Sequence, residues 1–257
     1  MSMKIAMTDM DIVWEDKEAN KKQCVAMVEE AAEQKAKMIL FPEMTLTGFS
    51  LQVDVIRDTE GETVEFFSGL AREFSIAIGF GYVDKPDDKG RNHFCVVDRS
   101  GVVRVDYEKI HPFSYGGEAV VYRGGDTIRH FRMGELVCGV AVCYDLRFPE
   151  MFQQMPIDTN VVVLIANWPE SRIDHWYALL KARSIEMSCY VVGVNRTGTG
   201  GGLTYIESSA AFAPDGIRLP EGKGYLNRYV ELNLDEKNPF VPVVSSRRDR
   251  RPDTYHA

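Results

Sequence analysis

Three residues of this chain have the chemistry to share one reaction: Glu43, Lys109 and Cys143. A thiolate is a nucleophile, a carboxylate removes and returns protons, and a fixed ammonium steadies a developing oxyanion. Each residue alone also has an ordinary reading. A free cysteine is most often a small buried core residue. A glutamate after a strand is usually solvated, and a lysine at a hairpin end is usually a surface charge.

The elements around them decide whether they can meet. Leu136–Val142 is short, apolar and rich in valine, which reads as a buried strand. Cys143 stands where it stops, and Tyr144-Asp145-Leu146-Arg147 reads as a tight turn into a helix. Backbone N–H groups at such a helix start would lower the thiol pKa and bind an oxyanion. Glu43 follows the strand Met38–Phe41 directly after Pro42, which ends the ladder. Lys109 ends the second strand of a hairpin, His93–Asp98 and Val102–Glu108, turning at Arg99-Ser100-Gly101. Three reactive residues at three strand ends match the place where layered α/β folds form sites.

The rest of the chain alternates strands and helices. Lys4–Met10 is a strand, and Asp16 caps a helix to about Gln34 whose Cys24, Met27, Val28 and Ala31 share one face. Val64, Phe67, Ala71 and Phe74 mark a second amphipathic helix before a strand at Ile76–Val83. Beyond Cys143 come a short helix over Arg147–Gln154 and strands at Thr159–Ala166 and Tyr190–Asn195. Between those strands, a helix over His175–Met187 is expected to bury Ala178, Ala182, Ile185 and Cys189. Thr197–Gly202 reads as a flexible rim loop, followed by strands at Tyr205–Ala213 and Asn227–Leu234. From about Pro239 the basic tail reads as an arm, with Phe240, Val241, Val243 and Val244 suited to burial against a partner. No linker divides the chain, so residues 1–257 are expected to form a single α/β domain with sheets covered by helices.

Composition excludes several classes. Acidic residues outnumber basic ones, 38 to 30, and the basic run Arg247–Arg251 stands alone, so no nucleic acid is expected. The N-terminal stretch has no apolar run long enough for a signal peptide or a membrane span, so no membrane contact is expected. Five isolated cysteines without CxxC spacing suit a reducing, cytoplasmic setting better than a disulfide framework or a zinc site. The five histidines form no paired ligand spacing, so no metal is expected. Gly198-Thr199-Gly200-Gly201-Gly202 lacks the Lys-Ser/Thr of a phosphate loop.

The stretches Phe41-Pro42-Glu43 with Gly48-Phe49, Tyr107-Glu108-Lys109-Ile110-His111 and Val142-Cys143-Tyr144-Asp145-Leu146-Arg147-Phe148-Pro149-Glu150 resemble motifs of the nitrilase superfamily of carbon–nitrogen hydrolases. Supporting stretches are Ala166-Asn167-Trp168-Pro169 and His175-Trp176 through Ala182-Arg183-Ser184-Ile185-Glu186, and within the superfamily the chain resembles the ω-amidase-like branch. Pro112 departs from the leucine more usual in that family. The resemblance covers nearly the whole chain. It implies a four-layer αββα sandwich, a Glu43–Lys109–Cys143 triad, a second glutamate at Glu118, no cofactor, and a homodimer or higher homo-oligomer. It also implies a small linear amide as substrate, with Lys109 and the backbone N–H of Tyr144 holding the oxyanion. An ω-amide of a 2-oxo dicarboxylic acid is favoured. Sister activities on N-carbamoyl compounds, deaminated glutathione or nitriles share the motifs, and a non-catalytic thiol scaffold is the distant rival.

Other residues are candidates for holding the substrate. Trp168 and Tyr115 could line a pocket or belong to the core. A substrate carboxylate would need a fixed cation, and arginine matches it bidentately. Arg172 is the first candidate because its loop leaves the strand beside the Cys143 strand, and Arg147 is the second. Either could instead be a structural salt bridge.

Overall fold

The computed structural model describes residues 2–235 and 246–254. Strand β1 (Ser2–Thr8) is followed by helix α1 (Lys17–Glu33), whose N-cap Asp16 accepts from the Ala19 N–H at 2.9 Å. Next come β2 (Met38–Leu40), a single turn α2 (Val53–Ile56), α3 (Glu62–Phe74), and the strands β3 (Ala77–Asp84), β4 (Arg91–Val97) and β5 (Val103–Glu108). The short helix α4 (Glu118–Val121) leads to β6 (His130–Met133) and β7 (Leu136–Val142). After β7 a five-residue 3-10 turn, Cys143–Arg147, precedes α5 (Pro149–Gln153) and β8 (Val161–Ala166). Then follow α6 (Ile173–Met187), β9 (Tyr190–Asn195), the hairpin β10 (Gly198–Gly200) and β11 (Leu203–Tyr205), β12 (Ala210–Phe212), β13 (Gly222–Lys223) and β14 (Asn227–Asn233).

Two mixed sheets result. One runs β13-β14-β1-β2-β3-β4-β5, with β1, β2 and β3 parallel. The other runs β12-β9-β8-β7-β6, with β7, β8 and β9 parallel. Alternation along the first sheet sends Ile5, Met7, Met38, Leu40 and Phe94 toward the second sheet. Their neighbours Ala6, Ile39, Ile78 and Phe80 turn to Cys24, Met27, Val28 and Ala31 of α1 and Phe67 of α3. The Phe67 and Phe80 rings stack at 4.2 Å. On the far side, α6 lays Trp176 and Leu180 on the second sheet, where Gly193 of β9 leaves room. A Cβ there would stand 2.7 Å from Leu180 and 2.8 Å from Trp176. The layers are therefore helix, sheet, sheet, helix, as the sequence reading expects.

Three details differ from that reading. The buried row of α6 is Trp176, Leu180, Ser184 and Met187, while Ala178 and Ile185 face solvent. The large side chains take the sheet-facing side because they fill the space above Gly193. The glycine stretch after Thr197 is a hairpin rather than a loose loop, and the strand expected over Tyr205–Ala213 is two separate strands. Of the arm, Phe240, Val241, Val243 and Val244 lie outside the described residues. Its described part clasps the end of α5: Arg247 donates to the carbonyls of Met155 (2.5 Å) and Pro156 (3.0 Å), and Arg250 to that of Gln153 (3.0 Å).

Candidate active site

The ends of β2, β5, β7 and β8 converge at one end of the double sheet, and each supplies a residue there. Glu43 enters through a turn locked onto β3. Thr45 N–H donates to the Gly81 carbonyl (3.0 Å), and Gly81 N–H donates to Thr45 Oγ1 (2.9 Å). Gly81 has to be glycine, because a Cβ there would stand 2.5 Å from the Met44 nitrogen and 3.0 Å from the Glu43 Cα. Lys109 extends the β5 edge, its N–H donating to the Asn92 carbonyl of β4 at 2.8 Å.

Cys143 sits on a left-handed turn at φ +46°, a strained conformation for a side chain with a Cβ. Asp145 holds that turn. Its buried carboxylate accepts from Val142 N–H (3.0 Å), Tyr107 Oη (2.8 Å) and His111 N–H (3.0 Å), and it faces His111 Nδ1 at 2.7 Å. The strain at Cys143 is thus over-determined by bonds from both sheets.

Below the thiol lies a buried cluster. Lys109 Nζ donates to Glu43 Oε1 (2.9 Å) and to both Glu118 oxygens (3.0 and 2.8 Å). Asn92 Nδ2 donates to the same Glu43 Oε1 (2.8 Å) and to Glu118 Oε1 (3.1 Å). Asn167 N–H donates to Glu43 Oε2 at 2.9 Å, which ties the second sheet to the first. Phe113 N–H donates to Glu118 Oε2 at 2.6 Å. Glu43, Lys109 and Glu118 are all buried, so the ordinary reading of the first two as surface charges is excluded.

Electrostatics follow from this packing. Burial works to raise the Glu43 carboxyl, but the Lys109 charge and the donors from Lys109, Asn92 and Asn167 outweigh it and hold it below the ordinary range. Burial works to lower the Lys109 ammonium, and Glu118 and Glu43 outweigh it, so the group sits well above its usual value and stays charged. The thiol corrects the sequence reading. Burial and the Glu43 carboxylate push Cys143 well above the ordinary thiol, against the pull of Lys109. The resting group is a thiol, and an adjacent base has to take its proton.

Cys143 opens into a cavity of about 440 Å³, mouth included. Of the five cysteines it is the half-buried one, and the other four are buried. Phe49, Phe113, Tyr144, Trp168 and Tyr205 wall the cavity. Phe49 also covers Lys109, whose Nζ stands 5.6 Å from the ring centroid. Arg147 and Arg172 line the same cavity. Arg147 lies over the Trp168 ring (4.8 Å) and Arg172 over the Phe113 ring (5.5 Å). Neither forms an ion pair with a carboxylate among the described residues, so the salt-bridge reading does not hold for either.

Tyr115 is a correction. It is 91% exposed and does not line the cavity. None of its turn, Ser114–Gly116, lines the cavity, whereas Phe113 just before it does. The sequence reading missed Asn92, Asp145, Phe113, Leu203 and Tyr205. Tyr205 is fixed by the fully buried Arg196, whose guanidinium lies 4.7 Å over its ring and donates to the carbonyls of Ile12 and Thr199 at 2.9 Å. The signal available in the sequence was an arginine, Arg196, directly before the glycine-rich stretch. Among the described residues no three His, Cys, Asp or Glu side chains gather as a metal-ion site. No helix among them is long and apolar enough to cross a membrane.

A half-buried thiol above a buried lysine and two carboxylates, at the meeting ends of two facing sheets, has the build of an acyl-transfer hydrolase. The chain belongs to the carbon–nitrogen hydrolase family, whose model matches residues 4–232, and it is an amidase. It is 27% identical over 263 residues to a 2-oxoglutaramate amidase of Bacillus subtilis strain 168, covering 99% of this chain and all of that one. It is 30% identical over 217 residues to the omega-amidase YafV of Escherichia coli strain K12, covering 83% and 82% of the two chains. Among solved structures, the CN-hydrolase superfamily protein XC1258 of Xanthomonas campestris superposes with a TM-score of 0.82 at 27% identity over 90% of each chain. An amidase from Nesterenkonia sp. shares the fold at a TM-score of 0.86 and 22% identity, over 98% and 94% of the chains.

Proposed function

We propose that this amidase hydrolyses the ω-amide of a short dicarboxylic acid, of the 2-oxoglutaramate kind, through a thioester on Cys143. The supporting observation is the pairing of one half-buried thiol with two arginines, unpaired with any described carboxylate, in a single small cavity. The names of the Bacillus and Escherichia relatives favour the same substrate class.

In this reading Glu43 takes the Cys143 proton as sulfur attacks the amide carbon. Lys109 and the Tyr144 N–H receive the negative charge on the amide oxygen. Glu43 then gives its proton to the departing ammonia. In the second half, Glu43 draws a proton from water as the water oxygen attacks the thioester, and it returns that proton to the sulfur as the acid leaves, so the thiol is restored. Glu118 and Asn92 hold Lys109 and Glu43 in place. No cofactor enters these steps.

Arg172, and behind it Arg147, would take the distal carboxylate, and the aromatic walls would hold the short chain between. The test is Arg172→Ala on two amides of equal length, one ending in a carboxylate and one neutral. KM should rise much more for the acidic amide. An equal loss on both would make Arg172 a support for its loop. Ammonia release across a panel that includes N-carbamoyl compounds and nitriles, with release of the dipeptide amine as the readout for deaminated glutathione, tests the substrate class, since a relative from Dictyostelium discoideum is a deaminated glutathione amidase.

A further inference from the structure

Lys109 Nζ and Asn92 Nδ2 each donate to the same two oxygens, Glu43 Oε1 and Glu118 Oε1. The four side chains close a hydrogen-bonded ring. Two carboxylates face one ammonium in it, so one negative charge is left over in a buried place. A bare excess charge there would favour protonation of one glutamate. The second donor pair comes from a neutral amide.

Asn92 is itself buried, and its Oδ1 finds no partner among the described residues. Turning the amide over to satisfy that oxygen would aim it at two carboxylates. The orientation is therefore dictated by the glutamates, and the unpaired acceptor is the cost of supplying both N–H groups.

We infer that Asn92 is a positioning residue that closes the ring around Lys109 and keeps Glu43 ionised, ready to take the Cys143 proton. The inference rests on the reading of Glu43 as the base. When Glu43 becomes neutral by accepting that proton, Asn92 and Lys109 still hold Glu118, so the oxyanion-binding ammonium does not follow the proton. The other titratable groups facing Glu43 are Lys109, Cys143, Glu118, Tyr122 and Tyr205. Burial pushes both tyrosine hydroxyls up, Tyr205 to about 12, so they stay neutral where the enzyme works.

The experiment is the pH profile of kcat/KM for Asn92→Ala and Asn92→Asp. Glu43 has to be ionised in the free enzyme, so activity is lost as pH falls through its pKa. Removing a donor to the carboxylate raises that pKa. The acid limb should move up by about one pH unit in Asn92→Ala, the scale of one charge-assisted hydrogen bond. It should move further in Asn92→Asp, which fits the same space but adds a third carboxylate. The rate of Cys143 alkylation by iodoacetamide should show the same shifted limb. A uniform loss of rate with both limbs unmoved would overturn the inference. If Asn92→Ala fails to fold, the Asn92→Asp limb decides alone. Glu43→Gln separates the two claims. Near-normal turnover in that variant would remove Glu43 as the base, whereas an inactive Glu43→Gln with an unmoved Asn92 limb would overturn only the role of Asn92.

Discussion

Asp145 and His111 join the Cys143 turn to the lysine loop: one carboxylate oxygen accepts the His111 backbone N–H at 3.0 Å and faces its ring Nδ1 at 2.7 Å. A carboxylate is an acceptor, so Nδ1 is the ring nitrogen that carries the proton. The ring is held flat against Phe148, 3.7 Å between centroids, which fixes the stretch that leads from Cys143 into α5.

Replacing Asp145 should therefore damage stability and catalysis together. Asp145→Ala leaves the donors of Tyr107, Val142 and His111 buried without an acceptor. The expected loss is more than about 2 kcal/mol, the cost of stranding several buried donors. Denaturant unfolding measures it. An unchanged midpoint would show that the strained Cys143 turn holds without this carboxylate.

Cys143→Ala should abolish turnover and leave the fold intact, because the acyl group has no other nucleophile. A variant retaining a tenth of wild-type activity would contradict the thioester route. Cys138→Ala should keep most activity, since that thiol is fully buried in the core. Mass analysis after brief iodoacetamide treatment should find the label on Cys143 before the other four cysteines.

Lys109→Met should lower kcat by at least about a hundredfold, the scale of one oxyanion donor. Glu43→Gln should be comparably severe, within the roughly 10²–10⁴ range of general acid–base catalysis. Glu118→Gln should cost less. Steady-state kinetics rank the three, and a change confined to KM would refute the role given to Lys109 or Glu43. A greater loss at Glu118 would mean that the two glutamates have exchanged roles.

His93 gives a pH prediction away from the cavity. Its Nδ1 lies 2.9 Å from Asp106 and its Nε2 3.2 Å from Asp84, with the Tyr82 ring stacked at 4.5 Å. Burial works to lower the imidazolium, but the two aspartates outweigh it and hold the pKa up at about 9. A pKa raised in the folded state contributes stability that is complete below the unfolded value of about 6.5 and is lost as pH rises through about 9. Thermal unfolding should show a decline over that window in the wild type and a flatter profile in His93→Gln. Identical profiles would mean that His93 is already neutral in the fold.

The chain is also expected to assemble as a homodimer or larger. Ile157 and Ile185 are exposed, and the carbonyls next to them in sequence are bonded by Arg247 and Ser246 of the arm. Apolar surface continued by an arm is more stable when a second copy covers it. Light scattering should exceed 29.0 kDa at micromolar concentration, and a 29.0 kDa particle would refute the expectation.

The strand ends were legible in the sequence because local chemistry marks them. A run such as Leu136–Val142 can be satisfied only as a buried strand, and Pro42 cannot continue a ladder, so Cys143 and Glu43 had to stand at edges. The α1 face was legible for a similar reason: Cys24, Met27, Val28 and Ala31 repeat at helical spacing. The outward turn of Tyr115, the sheet-facing row of α6 and the thiol pKa depend on what other segments bring alongside.

Asn92 shows the limit most clearly. Counting register outward from the hairpin turn, where Val97 faces Val103, would set Asn92 opposite Glu108. An irregularity between Val96 and Val97 shifts the pairing by one residue, so that His93 faces Glu108 and Asn92 lies beside Lys109. One extra residue in one strand decides which side chain meets the lysine. The residue types needed for the chemistry were present in the sequence. Which amide completed the ring around Lys109 was decided by the strand pairing of the first sheet, because Glu43, Asn92 and Glu118 reach Lys109 from segments apart in the chain.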